Sequence, residues 1–203
     1  KWSMGEAFGY ACAAGMLSEC GSASLLTAIE SPPLSEITAG ILGPSQNWMA
    51  EQLVHILGER FGNEGSWSMG MRVIEAHVIG EMGVDSLDIS GRDGSGRSAY
   101  NLVTPRALVR ILTEMLHGPY GGEYRSAMAQ PGLEGSTLED RLRDLEGRLY
   151  AKTGTISNVN SLSGYLVTGD GQEIVFSILV NGSGGDSLHV SATIDEIVRI
   201  LAR

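Results

Sequence analysis

The sequence contains almost no lysine. Its fourteen basic residues include only two lysines, Lys1 and Lys152, and they stand against twenty-four acidic residues, which gives a formal net charge of -10. A negatively charged phosphate backbone is repelled by such a chain, so nucleic acid is excluded as an expected partner. Because lysine is so rare, the one in the interior of the chain, Lys152, invites a specific chemical role.

Long apolar runs are also absent, since no stretch approaches the roughly 20 residues that a membrane-spanning helix needs. The N-terminal segment is modestly apolar, but Glu6 and Glu19 interrupt it. We therefore predict an amphipathic helix there rather than a signal peptide. The first residue is Lys1 rather than Met, and we expect the chain to begin inside a longer gene product.

Cysteine is nearly as rare as lysine, with only Cys12 and Cys20 present. If both lie on the predicted N-terminal helix, their eight-residue separation corresponds to about 12 Å along the axis, which is too far for a disulfide bond. Two free thiols are expected. A chain of 203 residues with 42% hydrophobic content can bury a core without a disulfide or a metal.

The sequence offers no convincing metal site. Asp93 opens the string DGSGRS, but the position where a calcium loop needs its bidentate Glu is occupied by Thr104, so a turn is the better interpretation. The histidines are scattered without a second ligand at metal spacing; they are His55, His77, His117 and His189. We predict neither a metal nor a cofactor.

Apolar periodicity predicts a mainly helical part over residues 1–147. One of its helices carries core positions at Leu53, Ile56 and Leu57, and the next ends near Gly83. Another helix begins after Thr104 as the N-cap, with Pro105 at its first position. The spacing of Ser136 and Glu139 fits a capping box, which predicts one more helix start in STLEDRL.

The pattern changes to strands over residues 148–203. Three alternating stretches follow one another, with Gly-Asp-Gly as the hairpin turn between the second and third, and a terminal helix closes the chain. Helices followed by a three-stranded antiparallel meander and a final helix make an α+β arrangement. No repeat and no interdomain linker divides it, so a single domain is predicted.

Two short motifs carry chemistry. Lys152 opens a Lys-Thr-Gly triplet on the first predicted strand, and Ser45 with Asn47 forms a Ser-x-Asn triplet just before a helix. Serine-type acyl transfer needs a group that moves the nucleophile's proton, an amide that orients the substrate, and donors for the oxyanion. Both triplets are among the recognised motifs of penicillin-binding proteins and β-lactamases.

Longer strings extend this likeness from about Glu30 to Gly182: SPPLSEI, SQNWMAEQL, DGSGRSAYNLVTPRALVRIL and AKTGTISNVNSLSGYL. In this order and spacing, the chain resembles the D-alanyl-D-alanine carboxypeptidase/endopeptidases, the class C low-molecular-mass penicillin-binding proteins. The resemblance implies part of a β-lactamase/penicillin-binding-protein-like fold, in which a helical subdomain and an antiparallel sheet meet at a cleft. Residues 1–203 would be the C-terminal portion of one serine D,D-peptidase catalytic domain.

The resemblance also implies three catalytic residues. Ser45 would relay a proton between the nucleophile and the leaving amine. Asn47 would hold the substrate amide, and Lys152 would reach across the cleft to Ser45. In such proteins the Ser-x-Asn loop forms one wall of the cleft and the Lys-Thr-Gly strand forms the other, so these side chains are expected to meet despite their separation in sequence.

Three further residues of the strand are implied in substrate binding. Thr153 and Thr155 would hydrogen-bond the terminal carboxylate of the substrate, with the nearby lysine keeping the local field positive. Gly154 has no side chain, so a peptide could lie against the strand edge. The backbone N–H of Thr155 would be one donor to the oxyanion.

One motif of the family is missing. The nucleophile lies in Ser-x-x-Lys, but Lys1 has no residue before it and Lys152 follows Leu149 at that spacing. The chain thus resembles the C-terminal half of such an enzyme, inactive alone, with an N-terminal half as its expected partner. Peptidoglycan stem peptides and β-lactam antibiotics are the other expected partners, and the expected location is the periplasm or another extracytoplasmic space.

Three interpretations remain open at the level of sequence. The chain is a piece of an active serine D,D-peptidase, a noncatalytic relative that only binds peptidoglycan peptides, or a β-lactamase or esterase of the same fold. A Ser-x-x-Lys motif upstream in the gene would favour the first over the second. Rapid turnover of a β-lactam would favour the third. Stem-peptide specificity, the balance of carboxypeptidase and endopeptidase action, and the oligomeric state are left open.

Overall fold

The structure, a computed structural model, describes residues 30–203. The chain divides into two compact units, residues 1–37 and 38–203. The predicted N-terminal helix, with Cys12 and Cys20, lies outside the described residues. None of the helices formed by residues 30–203 combines the length and the apolar character that spanning a bilayer requires. The first helix, α1, spans Leu34–Leu42 and begins directly after a pair of prolines.

Two helices in contact with each other follow, α2 (Asn47–Gly62) and α3 (Trp67–Gly80). They approach each other through small residues. Val54 and Gly58 are the buried residues of α2, and a Cβ on Gly70 of α3 would lie 2.1 Å from the carbonyl oxygen of Val54. Glycine therefore permits backbone contact between the helices.

The expectation of a core face at Leu53, Ile56 and Leu57 was wrong in this detail. These three side chains are only half-buried, whereas the neighbouring small residues Val54 and Gly58 are buried. Hydrophobic periodicity favours large apolar residues as core positions. The close approach of two helix backbones instead selects small ones, and this preference leaves no strong apolar signal in the sequence.

A two-stranded ribbon leads into the next helix. Strand β1 (Ile89–Ser90) pairs with β2 (Leu102–Val103), and helix α4 (Pro105–His117) follows at once. Thr104 is the N-cap, and its side chain accepts a hydrogen bond from the N–H of Ala107. The predicted cap and the proline at the first helical position are confirmed.

The segment between β1 and β2 forms the predicted turn. The carboxylate of Asp93 accepts hydrogen bonds from the backbone N–H groups of Gly96 and Ser98 and from the side-chain amide of Asn101. Aspartate side chains often hold loops through such bonds to nearby backbone groups. The carboxylate is thus used to hold the backbone of its own loop.

Helix α5 (Gly121–Ala127) is followed by residues 128–148, which form turns with a single 3-10 turn at Arg143–Leu145. The helix predicted from the capping-box spacing is therefore absent, and that expectation was wrong. In a capping box, the Glu side chain returns to the N–H of the N-cap residue. Here Glu139 instead accepts from the N–H of Gly135, which has a φ of 75° and cannot belong to a right-handed helix.

The last third of the chain is a three-stranded antiparallel sheet with a terminal helix. The strands are β3 (Leu149–Ile156), β4 (Val159–Val167) and β5 (Glu173–Asn181), in the spatial order β3-β4-β5. The predicted hairpin turn between β4 and β5 is confirmed, with Gly171 at a φ of 84°. Helix α6 (Ser187–Leu201) completes the predicted α+β order.

The sheet is covered on both faces. Tyr150, Tyr165 and Val175 occupy one face and pack towards Leu112 of α4. The opposite face packs against α6 through a larger apolar cluster whose buried members include Leu149, Ala151, Leu162, Leu166, Phe176, Ile194 and Val198. Since side chains alternate along a strand, Lys152 shares a face with Tyr150 and is directed towards the helical layer.

Candidate active site

Ser45 lies in the tight connection between α1 and α2. The N–H of Gln46 donates to the carbonyl of Ile41 at 2.9 Å, which closes the turn. Ser45 itself has a φ of 61°, in the left-handed region that residues with a Cβ enter at a cost. The turn holds Ser45 two residues before the first residue of α2, with its side chain half-buried.

The side chain of Lys152 on β3 forms a hydrogen bond with Ser45. Its Nζ donates to Ser45 Oγ at 2.6 Å and to the carbonyl oxygen of Thr153 at 2.9 Å. The two side chains are 107 positions apart in sequence. The predicted contact between Lys152 and Ser45 is therefore confirmed.

Burial lowers the pKa of the Lys152 ammonium from its ordinary value. Removal from water disfavours the charged form, and throughout residues 30–203 no carboxylate forms an ion pair with Lys152 to counter this effect. A lysine with a lowered pKa and a hydroxyl partner at 2.6 Å can exchange a proton with that hydroxyl. The same ammonium is a local positive charge available to an anionic ligand.

The edge of β3 opposite β4 is only partly covered. The N–H of Ala151 donates to the carbonyl of Ala129 at 2.9 Å, so the backbone groups of Ala151 face away from β4. In an antiparallel strand, every second residue presents its N–H and C=O to the same side. The backbone groups of Thr153 and Thr155 consequently face this outer edge as well.

Gly154 lies between these two threonines and pairs with Ser161 of β4. A Cβ at Gly154 would lie 2.3 Å from Ser161 Oγ. The sequence suggested that glycine here leaves room for a peptide; the structure adds that it leaves room for a neighbouring hydroxyl. Because Ser161 can rotate, an alanine at this position would displace the hydroxyl rather than the backbone.

Thr153 has a partner that the sequence did not indicate. Its Oγ1 donates to Thr137 Oγ1 at 2.8 Å, and the N–H of Thr137 donates to the carbonyl of Gly43 at 3.1 Å. Thr137 therefore joins strand β3 to the turn that carries Ser45. It lies in the segment that we expected to be helical, and no local pattern distinguishes it, so sequence reasoning had no means to find it.

Asn47 occupies the first position of α2 and is half-buried, two residues after Ser45. Thr155 is exposed near the end of β3. The structure confirms the contact between Lys152 and Ser45, but the catalytic and binding roles expected for the six site residues stay predictions.

A family model described as the D-Ala-D-Ala carboxypeptidase 3 (S13) family matches residues 14–203. The chain is 36% identical over 177 residues to a D-alanyl-D-alanine carboxypeptidase of Actinomadura sp., covering 84% of this chain and 32% of that relative. It is 30% identical over 183 residues to penicillin-sensitive carboxypeptidase A of Dictyostelium discoideum, covering 85% and 35%. The chain thus spans a minor part of the length of these relatives.

Solved structures support the same fold. A predatory endopeptidase from Bdellovibrio bacteriovorus, in complex with an immunity protein, matches with a TM-score of 0.73 at 26% identity, covering 86% of this chain and 44% of that one. Penicillin binding protein 4 from Haemophilus influenzae, complexed with a β-lactam, matches with a TM-score of 0.73 at 23% identity, covering 82% and 39%. The predicted β-lactamase/penicillin-binding-protein-like fold is confirmed.

Proposed function

Since the chain belongs to the D-Ala-D-Ala carboxypeptidase 3 (S13) family, we propose that it is part of a penicillin-binding serine peptidase that cleaves peptidoglycan stem peptides ending in D-Ala-D-Ala. The chain supplies the Ser-x-Asn loop and the Lys-Thr-Gly strand of the active site. The nucleophilic serine and its paired lysine come from outside these 203 residues, which contain no Ser-x-x-Lys.

The observation that carries this proposal is the hydrogen bond from Lys152 Nζ to Ser45 Oγ at 2.6 Å. A lysine with a lowered pKa beside a serine hydroxyl favours proton movement through that hydroxyl. Neither residue belongs to an apolar cluster or an ion pair that would need them for stability, among residues 30–203. Their contact joins two elements that are remote in sequence, as acyl transfer by this family's motifs requires.

In the proposed reaction, the nucleophile's oxygen forms a bond to the peptide carbonyl carbon and the C–N bond breaks. Ser45 receives the nucleophile's proton and passes its own hydroxyl proton to the departing amine nitrogen. Lys152 hydrogen-bonds Ser45 Oγ throughout and holds a positive charge near it. Water then hydrolyses the acyl-enzyme along the reverse proton route.

Substrate binding uses the free edge of β3. The N–H of Thr155 faces this edge and donates to the developing oxyanion. The hydroxyls of Thr153 and Thr155 bind the terminal carboxylate of the peptide, and Lys152 supplies the favourable charge. Asn47, at the start of α2, holds the amide of the preceding residue. We place this activity outside the cytoplasm, where peptidoglycan and β-lactams are encountered.

Two alternatives have distinct consequences. A noncatalytic relative would bind D-Ala-D-Ala peptides without forming an acyl-enzyme, and its gene would carry no Ser-x-x-Lys upstream of this chain. A β-lactamase or esterase would turn over its acyl-enzyme rapidly. A class A β-lactamase from Bacteroides cellulosilyticus matches with a TM-score of 0.61 at 22% identity, which is a likeness of fold alone.

The proposal is tested by intact-mass spectrometry after incubation with a penicillin. We expect no adduct on the 203-residue chain alone and one penicilloyl adduct on the full-length protein, because only the latter would hold the nucleophile. An adduct on a serine of this chain alone would contradict the proposal. A full-length protein that binds a D-Ala-D-Ala peptide but is never acylated would be the noncatalytic relative, and one that releases the adduct within seconds would be the β-lactamase or esterase.

A further inference from the structure

Thr137 is fixed at a point where three parts of the chain meet. Its N–H donates to the carbonyl of Gly43, directly before the turn of Ser45, and its Oγ1 accepts from Thr153 on β3. Lys152 and Thr153 are adjacent on the strand, so their side chains extend to opposite faces. Ser45 and Thr137 therefore contact side chains that extend from opposite faces of β3.

The neighbours of Thr137 hold it rigidly. Ser136 Oγ accepts hydrogen bonds from the N–H groups of Gln130 and Leu138 and donates to the carbonyl of Gln130. Leu138 is fully buried in the apolar cluster beneath the sheet. A residue with one anchored neighbour on each side has little freedom to move, so the hydroxyl of Thr137 is presented to Thr153 in one position.

The hydrogen bond between the hydroxyls of Thr137 and Thr153 can run in either direction, which matters for substrate binding. Each hydroxyl has one hydrogen and two acceptor lone pairs, and the hydrogen rotates to suit its partner. In the structure, Thr153 donates to Thr137. A Thr153 that donates its single hydrogen to a carboxylate can no longer donate to Thr137. Thr137 can then reverse the bond and donate to Thr153, so the Thr153 oxygen remains hydrogen-bonded in both states.

We propose that Thr137 is a positioning residue for carboxylate recognition: it orients the hydroxyl of Thr153 and donates a hydrogen bond to it when a substrate carboxylate binds. This inference rests on the proposed function and adds a residue that neither triplet motif contains. Chains of hydroxyls polarise one another, so the donation from Thr137 also strengthens the bond that Thr153 gives to the carboxylate.

The test uses the full-length protein and two peptides that differ only at the C-terminus, one ending in a free D-Ala-D-Ala carboxylate and one in the corresponding amide. Thr137→Val keeps the side-chain shape and removes the hydroxyl. We expect it to lower kcat/KM for the carboxylate peptide by about 10- to 100-fold, mainly through KM, since a hydrogen bond to a charged group is affected. The amide peptide should change less than about 3-fold, because no charged acceptor is lost.

Conservative and matched variants separate positioning from a structural role. Thr137→Ser keeps the hydroxyl and should restore discrimination between the two peptides. Thr113→Val removes a half-buried threonine hydroxyl that bonds the carbonyl of Val109 on α4, and it should leave discrimination unchanged. If Thr137→Val lowers kcat/KM equally for both peptides, or for neither, the inference is wrong.

A double-variant comparison keeps the inference testable if Thr137→Val folds poorly. In a Thr153→Val background, Thr137→Ser and wild-type Thr137 should behave alike, and any residual effect of Thr137→Ala should be the same for both peptides. A carboxylate-specific effect of position 137 that persists without the Thr153 hydroxyl would overturn the inference. The proposed function would fail separately, if Lys152→Met were acylated by penicillin at the wild-type rate.

Discussion

Arg141 and Lys152 each connect two parts of the fold, but only Arg141 is paired with a carboxylate. Arg141 in the turn segment donates to Asp195 of α6 through both Nε, at 3.2 Å, and Nη2, at 2.7 Å. Lys152 meets only a hydroxyl and a carbonyl oxygen, and burial lowers its pKa. Arg141 is neutralised by a fixed carboxylate, whereas the charge of Lys152 is left without one, within residues 30–203.

The difference indicates that Arg141 contributes to stability, whereas Lys152 is available for chemistry. A bidentate arginine–carboxylate pair stabilises one geometry and offers nothing further to a ligand. A desolvated lysine without a countercharge costs folding free energy, and such a cost is typical of residues retained for chemistry. Substitution of Lys152 should lower activity without lowering stability. Substitution of Arg141 should lower stability without lowering activity.

The largest effect is expected from Lys152→Met in the full-length protein. The loss of the ammonium should slow acylation by penicillin by about 100- to 1,000-fold, the range found when a preorganised polar group of an acyl-transfer site is removed. The free energy of unfolding should stay the same or rise, because a buried charge is replaced by an apolar side chain. Acylation rates are measured by mass spectrometry and stability by urea unfolding.

Lys152→Arg provides the control for charge. It retains a cation but replaces a compact ammonium by a planar fork, so its defect should be smaller than that of Lys152→Met. Near wild-type acylation by Lys152→Met would show that the lysine is structural and would remove the contrast with Arg141.

The second effect is one of stability. Arg141→Met leaves the carboxylate of Asp195 without its partner, and we expect a loss of about 2–3 kcal/mol, below the roughly 3–5 of a fully buried pair because Arg141 is partly exposed. Folded protein should still be acylated at close to the wild-type rate. Urea unfolding and penicillin labelling of the same sample measure both quantities.

Arg143 is the matched control, two residues further along the same segment. Its contact with Asp140 is long, at 3.5 Å, and both side chains are exposed. Arg143→Met should therefore change stability by less than about 0.5 kcal/mol. A loss as large as that of Arg141→Met would mean that the segment tolerates no substitution, rather than that the Arg141–Asp195 pair is important.

The smallest effect is the dependence of stability on pH. The folded chain has a lowered pKa at Lys152, so in the window just below the ordinary lysine value of about 10.4 the unfolded chain binds more protons than the folded one. Stability from this group should rise with pH through that window. The rise should be missing in Lys152→Met, and urea unfolding across alkaline pH compares the two slopes. Equal slopes would contradict a lowered pKa.

The fold and the pairing of Lys152 with Ser45 could be predicted because several signals agreed. Alternating strands, a Gly-Asp-Gly turn and the Thr104–Pro105 helix start each indicate their structure locally. The two triplet motifs indicate a contact only when taken together, because a chemistry that needs both brings them within hydrogen-bonding distance. No property of the intervening residues predicts that contact.

The segment at residues 128–148 could not be predicted for a physical reason. Ser136 and Glu139 have capping-box spacing, but glycines at 132 and 135 take positive φ angles and turn the chain instead. Glycine is common both at the end of a helix and in turns where no helix forms. The sequence pattern alone does not distinguish these two cases. The position of Thr137 depends on these turns and on buried neighbours, so its contact with Thr153 had no sequence signal.

The bridge between Ala129 and Ala151 has a consequence for the behaviour of the chain in concentrated solution. An exposed strand edge is a template on which a second protein can add a strand and begin to aggregate. Here the bridge occupies the edge of β3 at Ala151, and the backbone beyond it is open only over the few residues from Thr153 to Ile156. A long strand added there would collide with the segment that carries Ala129, so this contact limits the length of any strand that can add to the β3 edge of the sheet.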